Sequence, residues 1–121
     1  VAAAAAMANL DIMERENLPA NAARMGTYFQ NKLRQEVADH PLIGDVRGGH
    51  GLMCALELVS DRAAKTPIDK ATIGKIFEAT YDAGVMVRVS GPNIIMPPPL
   101  VLTSEDVQQI VDALDAGLAA A

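Results

Sequence analysis

The sequence predicts an α+β domain in which helices cover one face of a small, mostly antiparallel sheet. Apolar residues recur every three or four positions in four segments, which indicates helices, and they alternate with polar residues in the short segments between, which indicates strands. Gly and Pro separate the two kinds of segment. The expected order is α-α-β-β-α-β-β-α. The 121 residues, half of them hydrophobic, suffice for the core of a single domain spanning 1–121.

Two helices are predicted before the first strand. Residues 1–16 contain an alanine-rich run of high helix propensity, and Pro19 suits the first turn of a second helix. This second helix is expected to have its cap at residue 17 or 18 and to end near Ala38. Its predicted buried face comprises Ala22, Met25, Phe29, Leu33 and Val37, and its predicted exposed face Arg24, Gln30, Lys32, Arg34 and Glu36.

Alternating apolar residues then predict two antiparallel strands, Ile43–Arg47 and Leu52–Ser60. The glycines between them, at positions 48, 49 and 51, permit a sharp bend. They do not match a phosphate-binding loop, because a strand and not a helix N-terminus follows them. Residues 61–67 are expected to form a polar loop.

A third helix is predicted over Lys70–Ala83, with Asp69 as its N-cap and Gly84 in the left-handed conformation that often ends helices. A last helix is expected to begin after Thr103, with an acid at the third position as in a capping box. The predicted inner faces of these two helices comprise Ile73, Ile76, Phe77, Thr80 and Tyr81, and Val107, Ile110, Val111, Leu114 and Leu118.

The stretch Val85–Leu102 is predicted to form two short strands around a turn. Alternation begins at Val85, the turn is Ser90-Gly91-Pro92-Asn93, and the prolines from Pro97 end the second strand. Arg88 is the only charged residue in this stretch. Its guanidinium is interpreted as a surface charge that protects an edge strand, as the partner of a carboxylate, or as a group that binds a ligand anion. The residues alone leave these interpretations open.

Composition argues against several classes of function. The net charge of −5, with Lys and Arg scattered along the chain, argues against a nucleic-acid partner. The apolar start Val1–Leu10 is far shorter than the roughly 20 residues needed to cross a bilayer, so no membrane partner is expected. The single cysteine, Cys54, is expected in the core. It provides no disulfide framework or metal site and fits a reducing cytoplasm, where we expect the protein to act.

No complete active site can be assembled from these residues. His40 and His50 lie in different predicted loops without a paired acid, and both are interpreted as capping or surface residues. The lysines, at positions 32, 65, 70 and 75, lie on predicted exposed helix faces or in a charged loop, whereas a Schiff-base lysine requires a desolvated setting. The acids Asp45, Glu57 and Asp61 are interpreted as turn and edge residues.

Three stretches, in this order, resemble class III aminotransferases. They are residues 2–18 (AAAAAMANLDIMERENL), residues 45–59 (DVRGGHGLMCALELV), and residues 84–106 (GVMVRVSGPNIIMPPPLVLTSED). Together the resemblance extends over essentially all 121 residues, and the joint order of the three motifs is specific. Within the family, the sequence is most similar to the ω-transaminase branch, which uses pyruvate.

The resemblance implies a fold-type I enzyme that depends on pyridoxal 5'-phosphate, with residues 1–121 as its C-terminal small domain and helix 1–16 as the link to a large domain. In that family the Schiff-base lysine and the phosphate site belong to the large domain. No catalytic or cofactor-binding residue is therefore assigned here, and the fragment alone is expected to be inactive. The intact enzyme is expected to be a homodimer that transfers an amino group between an amine or amino acid and an oxo acid such as pyruvate.

The resemblance assigns a role to one residue. Arg88 matches a mobile arginine that pairs with the substrate carboxylate in the ω-transaminase branch. Some relatives instead carry an arginine directly before the prolines, where this chain has Met96, so Arg88 is the expected carboxylate-binding residue. The alternative is a non-catalytic α+β domain that binds a small anion through Arg88 or mediates an interaction. A large domain with a lysine motif directly before Val1 is expected only for the transaminase.

Overall fold

The computed structural model describes residues 1–121, which form four α-helices and five β-strands. The strands make one antiparallel sheet in the order β1-β2-β5-β4, with β3 paired to β2. The predicted α+β class and the order of the eight predicted elements are confirmed, and β3 is an additional short strand inside the predicted loop 61–67. The elements are α1 (Ala2–Arg15), α2 (Leu18–Glu36), β1 (Ile43–Arg47), β2 (Cys54–Asp61), β3 (Thr66–Pro67), α3 (Lys70–Asp82), β4 (Arg88–Ser90), β5 (Asn93–Met96) and α4 (Ser104–Ala119).

The sheet has one buried face and one open face. Alternate residues of each strand point to opposite faces, and one set joins side chains of α2, α3 and α4 in a single hydrophobic cluster. Residues of the other set are exposed or half-buried. The buried face comprises Ile43, Val46, Cys54, Leu56, Leu58, Ile94 and Met96. The open face comprises Asp45, Arg47, Ala55, Glu57, Arg88, Ser90, Asn93 and Ile95.

Two helices of the buried layer begin at the caps that the sequence predicts. The carboxylate of Asp69 accepts hydrogen bonds from the backbone N–H groups of Ala71 and Thr72, both at 2.9 Å. At the start of α4, Thr103 and Asp106 form a reciprocal capping box. Hydrogen bonds to the charged form, chiefly from Thr72 and Thr103, hold the pKa of Asp69 and of Asp106 below the usual range.

The N-terminal helix packs differently from the others. No residue of α1 is buried, and its apolar Met7 and Leu10 are 59% and 55% exposed. Pro19 lies in the first turn of α2, as predicted, and Asn17 is the N-cap residue. Asn17 has the left-handed conformation and its side chain makes no capping hydrogen bond, so it serves as a turn between two consecutive helices. No helix is both long and apolar enough to cross a membrane.

Two residues of the predicted helix faces are placed differently from expectation. Gln30 is only 5% exposed, although the periodicity of α2 put it on the exposed face. Its amide fits against Gly48, which has no side chain to exclude it. Tyr81 is 58% exposed, although it was predicted to face the core. It lies in the last turn of α3, beyond the buried Thr80, and its ring stacks on Phe77.

The boundaries of three elements also differ from prediction. The first strand of the last hairpin begins at Arg88 and not at Val85. The reason is that the N–H of Val85 donates to the carbonyl oxygen of Thr80 at 3.2 Å, which closes the end of α3 and removes this donor from the sheet. Gly84 has the predicted positive φ, +94°. α2 ends at Glu36 instead of near Ala38, and β2 begins at Cys54 instead of Leu52.

Candidate functional site

One row of residues across the open face carries two arginines. Arg47 of β1 is paired in register with Ala55 of β2. Ala55 is paired with Ile95 of β5, which is in turn paired with Arg88 of β4. Since neighbouring strands lie about 4.8 Å apart, the backbones of the two arginines are about 14 Å apart. One arginine therefore lies at each edge of the open face, with two half-buried apolar side chains between them.

Arg88, the site residue that the sequence predicts, lies on an edge strand of three residues and is exposed. Its guanidinium takes part in none of the ion pairs of the structure, and no acid lies opposite it, since its register partner is Ile95. A guanidinium is charged at every physiological pH and presents a planar fork of donors. In this unpaired state it can bind both oxygens of a carboxylate or sulfonate through parallel hydrogen bonds.

Arg47, at the opposite edge, already has internal partners. Its Nε donates to Oδ2 of Asp45 at 3.1 Å, and its Nη2 donates to Oε2 of Glu57. The hydrogen bond that Arg47 donates to Asp45 and the charge of Glu57 raise the pKa of Arg47 above its usual value. This ion group was not predicted from the sequence. The spacing of Asp45 and Arg47 on one strand was visible there, but the position of Glu57 depends on the register between β1 and β2, which is shifted by an irregularity between Ile43 and Asp45.

The turn that follows Arg88 is anchored to the sheet. Gly91 provides the positive φ of +57° that the turn requires, and the side-chain amide of Asn93 donates to the carbonyl oxygen of Ser90 at 3.2 Å. The carbonyl oxygen of Pro92 accepts a 2.8 Å hydrogen bond from the N–H of Leu58 on the central strand. The backbone around Arg88 is thereby fixed, so its freedom to change position lies in its own side chain.

The other candidate residues do not assemble into a site. Nδ1 of His40 accepts from the N–H of Leu42 at 3.2 Å, as a capping residue does, and His50 is exposed on the bend before β2. Cys54 is buried, as predicted, and burial raises the pKa of its thiol to about 11, so it is not a nucleophile at neutral pH. No group of three or more His, Cys, Asp or Glu residues is placed to bind a metal ion.

The lysines do not form a site for pyridoxal phosphate. Lys32 is in an ion pair with Glu36 at 2.7 Å, which raises the pKa of its amine. The other three, Lys65, Lys70 and Lys75, are exposed. An amine that forms a Schiff base at neutral pH needs a desolvated setting, whereas these four amines are exposed or ion-paired. The residues of this chain therefore do not fit the cofactor.

Arg88 lines none of the three largest cavities, one of which, of about 500 Å³, lies beside α4. A groove of about 620 Å³ at the joint between α1 and α2 is lined by Asn17, Arg24 and Thr103 among others. A second depression, of about 430 Å³, lies beside the last hairpin and includes Val89, Gly91 and Pro92. Neither is lined by Arg88. A ligand bound by Arg88 would lie on the uncovered open face rather than in a closed pocket of this chain.

Comparison with known proteins identifies the family. Residues 1–118 match the family described as Aminotransferase class-III. The taurine–pyruvate aminotransferase of Bilophila wadsworthia is 40% identical in an alignment 119 residues long, which covers 93% of this chain and 26% of the relative. An alanine–glyoxylate aminotransferase homologue of Arabidopsis thaliana is 41% identical in an alignment 118 residues long, which covers 95% of this chain and 24% of the relative.

Solved structures of transaminases are similar to this chain in both fold and sequence. A transaminase with L-alanine superposes with a TM-score of 0.90 at 42% identity over 98% of this chain and 28% of the other. A PLP-bound amine transaminase from an uncultivated Pseudomonas species has a TM-score of 0.89 at 44% identity over 96% of this chain and 26% of the other. The chain thus spans about a quarter of the length of these relatives, and it belongs to the class III aminotransferase family.

Proposed function

We propose that residues 1–121 act as the C-terminal small domain of a pyridoxal-phosphate-dependent transaminase, in which Arg88 binds the carboxylate of the substrate. The enzyme would transfer an amino group between an amine or amino acid and an oxo acid such as pyruvate, and it would work as a homodimer. Family membership supports the reaction class. Relatives named for taurine and pyruvate, which carry a sulfonate and a carboxylate group, support a substrate with an acidic group.

The observation that carries the role of Arg88 is its unpaired guanidinium on the open face of the sheet. A charge-assisted hydrogen bond to a substrate anion contributes about 1.5–3 kcal/mol, whereas the same arginine offers nothing to a neutral amine. An exposed side chain can also move away when the substrate has no anion. Since the lysines of this chain are exposed or ion-paired, we assign the cofactor to residues outside 1–121.

The test uses the full-length enzyme that contains this chain, loaded with pyridoxal phosphate. In Arg88→Ala, kcat/KM for alanine and pyruvate is expected to fall about 10- to 200-fold, which corresponds to about 1.5–3 kcal/mol. The value for isopropylamine, which has no carboxylate, is expected to change less than about threefold. Single-turnover rates for each substrate, measured in wild type and variant, provide the comparison.

Arg47→Ala is the matched control, because Arg47 lies in the same cross-strand row but is bonded to Asp45 and Glu57. It is expected to leave the ratio of the two substrates unchanged. Equal losses for alanine and isopropylamine in Arg88→Ala would assign Arg88 a structural role. A full-length protein that binds alanine but does not transaminate would instead favour the non-catalytic anion-binding domain.

A further inference from the structure

The neighbours of the two arginines on the open face occupy corresponding register positions but differ in charge. The next cross-strand row runs from Asp45 to Glu57, from Glu57 to Asn93, and from Asn93 to Ser90. Asp45 is two residues from Arg47 on the same strand, and Ser90 is two residues from Arg88. Glu57 and Asn93 are the corresponding diagonal neighbours on the adjacent strands. Arg47 thus has two acids where Arg88 has a hydroxyl and an amide.

The ion group at Arg47 demonstrates what an acid at these positions does. Residues two apart on a strand point to the same face, and a diagonal cross-strand neighbour lies about 7–8 Å away, within reach of an arginine side chain. Arg47 indeed bonds both Asp45 and Glu57. An acid at position 90 or 93 would stand in the same relation to Arg88 and would compete with any ligand for its guanidinium.

The residues that occupy these positions in this chain offer no such competition. The amide of Asn93 donates to the backbone of Ser90, and its Oδ1 is buried without a hydrogen-bond partner. The hydroxyl of Ser90 is neutral and exposed, and Ile95, directly opposite Arg88, is apolar. Every residue of the sheet that neighbours Arg88 on the open face is therefore uncharged.

We propose that Ser90 and Asn93 are specificity-determining positions, which act by keeping Arg88 free of an internal acid. The substrates affected are those with a carboxylate or sulfonate group. This inference rests on the proposed function, because it assumes that Arg88 binds the anion of the substrate. Ser90 and Asn93 are positioning residues: they do not bind the substrate, and their lack of charge leaves the charge of Arg88 available to it.

The decisive variant is Ser90→Asp in the full-length, cofactor-loaded enzyme, with the near-isosteric Ser90→Asn as its neutral control. Asp is favoured at the first position of a turn, and residue 90 is exposed, so the hairpin should keep its structure. We expect Ser90→Asp to raise KM for alanine about fivefold and to leave kcat unchanged. The factor corresponds to the strength of one exposed ion pair, which the new acid would form with Arg88 in competition with the substrate. KM for isopropylamine should change less than twofold, and Ser90→Asn should resemble wild type.

Two further measurements separate an effect through Arg88 from a structural one. Propionate, a carboxylate that cannot react, should bind about fivefold more weakly to Ser90→Asp in a direct calorimetric titration. In the Arg88→Ala background, Ser90→Asp should change KM for alanine and the affinity for propionate by less than twofold each, because the acid then has no arginine to neutralise.

The outcomes distinguish this inference from the function on which it rests. If Arg88→Ala discriminates alanine from isopropylamine but Ser90→Asp does not, the inference is overturned and the proposed function stands. An equal loss for both substrates in Ser90→Asp, or a full effect in the Arg88→Ala background, also overturns it. If Arg88→Ala does not discriminate, the proposed function fails, and the inference fails with it.

Discussion

On β2, Leu56 and Leu58 are fully buried, whereas Ala55 and Glu57, which alternate with them, are half-exposed on the other side of the same strand. The buried face packs against three helices and contains no charged residue. The open face carries two acids, Asp45 and Glu57, which are bonded to Arg47, and a second arginine, Arg88, without an ion-pair partner. Alternation along each strand thus places apolar side chains on one face of the sheet and charged side chains on the other. The buried face stabilises the domain, and the open face retains charged and polar groups that solvent can reach.

The largest expected effect concerns a buried-face residue. Leu56→Ala removes a fully buried side chain from the hydrophobic cluster and should lower the free energy of unfolding by about 2–5 kcal/mol. Met53→Ala, three residues away and 65% exposed, is the matched control and should change it by less than about 0.5 kcal/mol. Urea denaturation of the chain measures both. A loss of similar size in Met53→Ala would mean that a second copy covers this side in solution, and the contrast between the faces would fail.

A second prediction tests how tightly the helices pack above the buried face. A Cβ at Gly117 of α4 would lie 2.2 Å from Oγ1 of Thr80 and 2.9 Å from the carbonyl oxygen of Ile76 on α3. Gly117→Ala should therefore cost about 1–3 kcal/mol, the range for overpacked cores. At Gly74 of α3 a Cβ meets no atom within 4 Å, so Gly74→Ala should stabilise the protein by about 0.5–1 kcal/mol through helix propensity alone.

The measurement for this pair is the midpoint of guanidinium denaturation of each variant. Both substitutions add one methyl group to a helix, so the two variants differ only in what that methyl group contacts. We therefore expect the changes in the free energy of unfolding to have opposite signs. Destabilisation by both variants would show that the methyl group added at residue 74 is not accommodated, although no atom lies within 4 Å of it. Stabilisation by both would show that α4 can shift away from α3 at little cost.

The helix caps of the buried layer predict a dependence of stability on pH. Asp69 and Asp106 have folded-state pKa values below the ordinary 3.8, so the folded state binds fewer protons than the unfolded state in this range. Their contribution is complete above about pH 4 and is lost as the pH falls through the folded-state pKa. Asp106→Asn should lower stability at pH 6 and reduce the further loss between pH 4 and pH 2, measured by thermal unfolding. An unchanged pH profile would contradict the capping role.

Much of the buried face could be predicted from the sequence, because periodicity and capping are local signals. The caps at Asp69 and Thr103 and the left-handed Gly84 were predicted from single residues and their spacing, and the structure confirms them. Local signals failed where a non-local contact decides the outcome. Gln30 is polar in sequence but buried in the structure, because a glycine 18 positions further along the chain, Gly48, leaves room for its amide.

Predicting the arrangement of the open face requires still more non-local information. Arg88 was identified from the sequence, but the absence of acids around it becomes visible only when β4, β5, β2 and β1 are placed in register. The same register brings Glu57 to Arg47, ten positions away in the chain. The role of Arg88 remains a prediction, since it concerns a ligand and not the fold.

The smallest expected effect lies on the open face and compares its two arginines directly. Glu57→Gln removes one acid from Arg47 while keeping the shape of the side chain, so it should lower the midpoint of thermal unfolding slightly at low salt. In about 1 M NaCl, where the Debye length is about 3 Å, the difference from wild type should vanish, because exposed ion pairs are screened. Arg88→Gln should leave the midpoint unchanged at both salt concentrations, since Arg88 has no internal partner to lose. A salt-sensitive destabilisation by Arg88→Gln would reveal an acid bonded to it in solution, and the difference between the two arginines would then disappear.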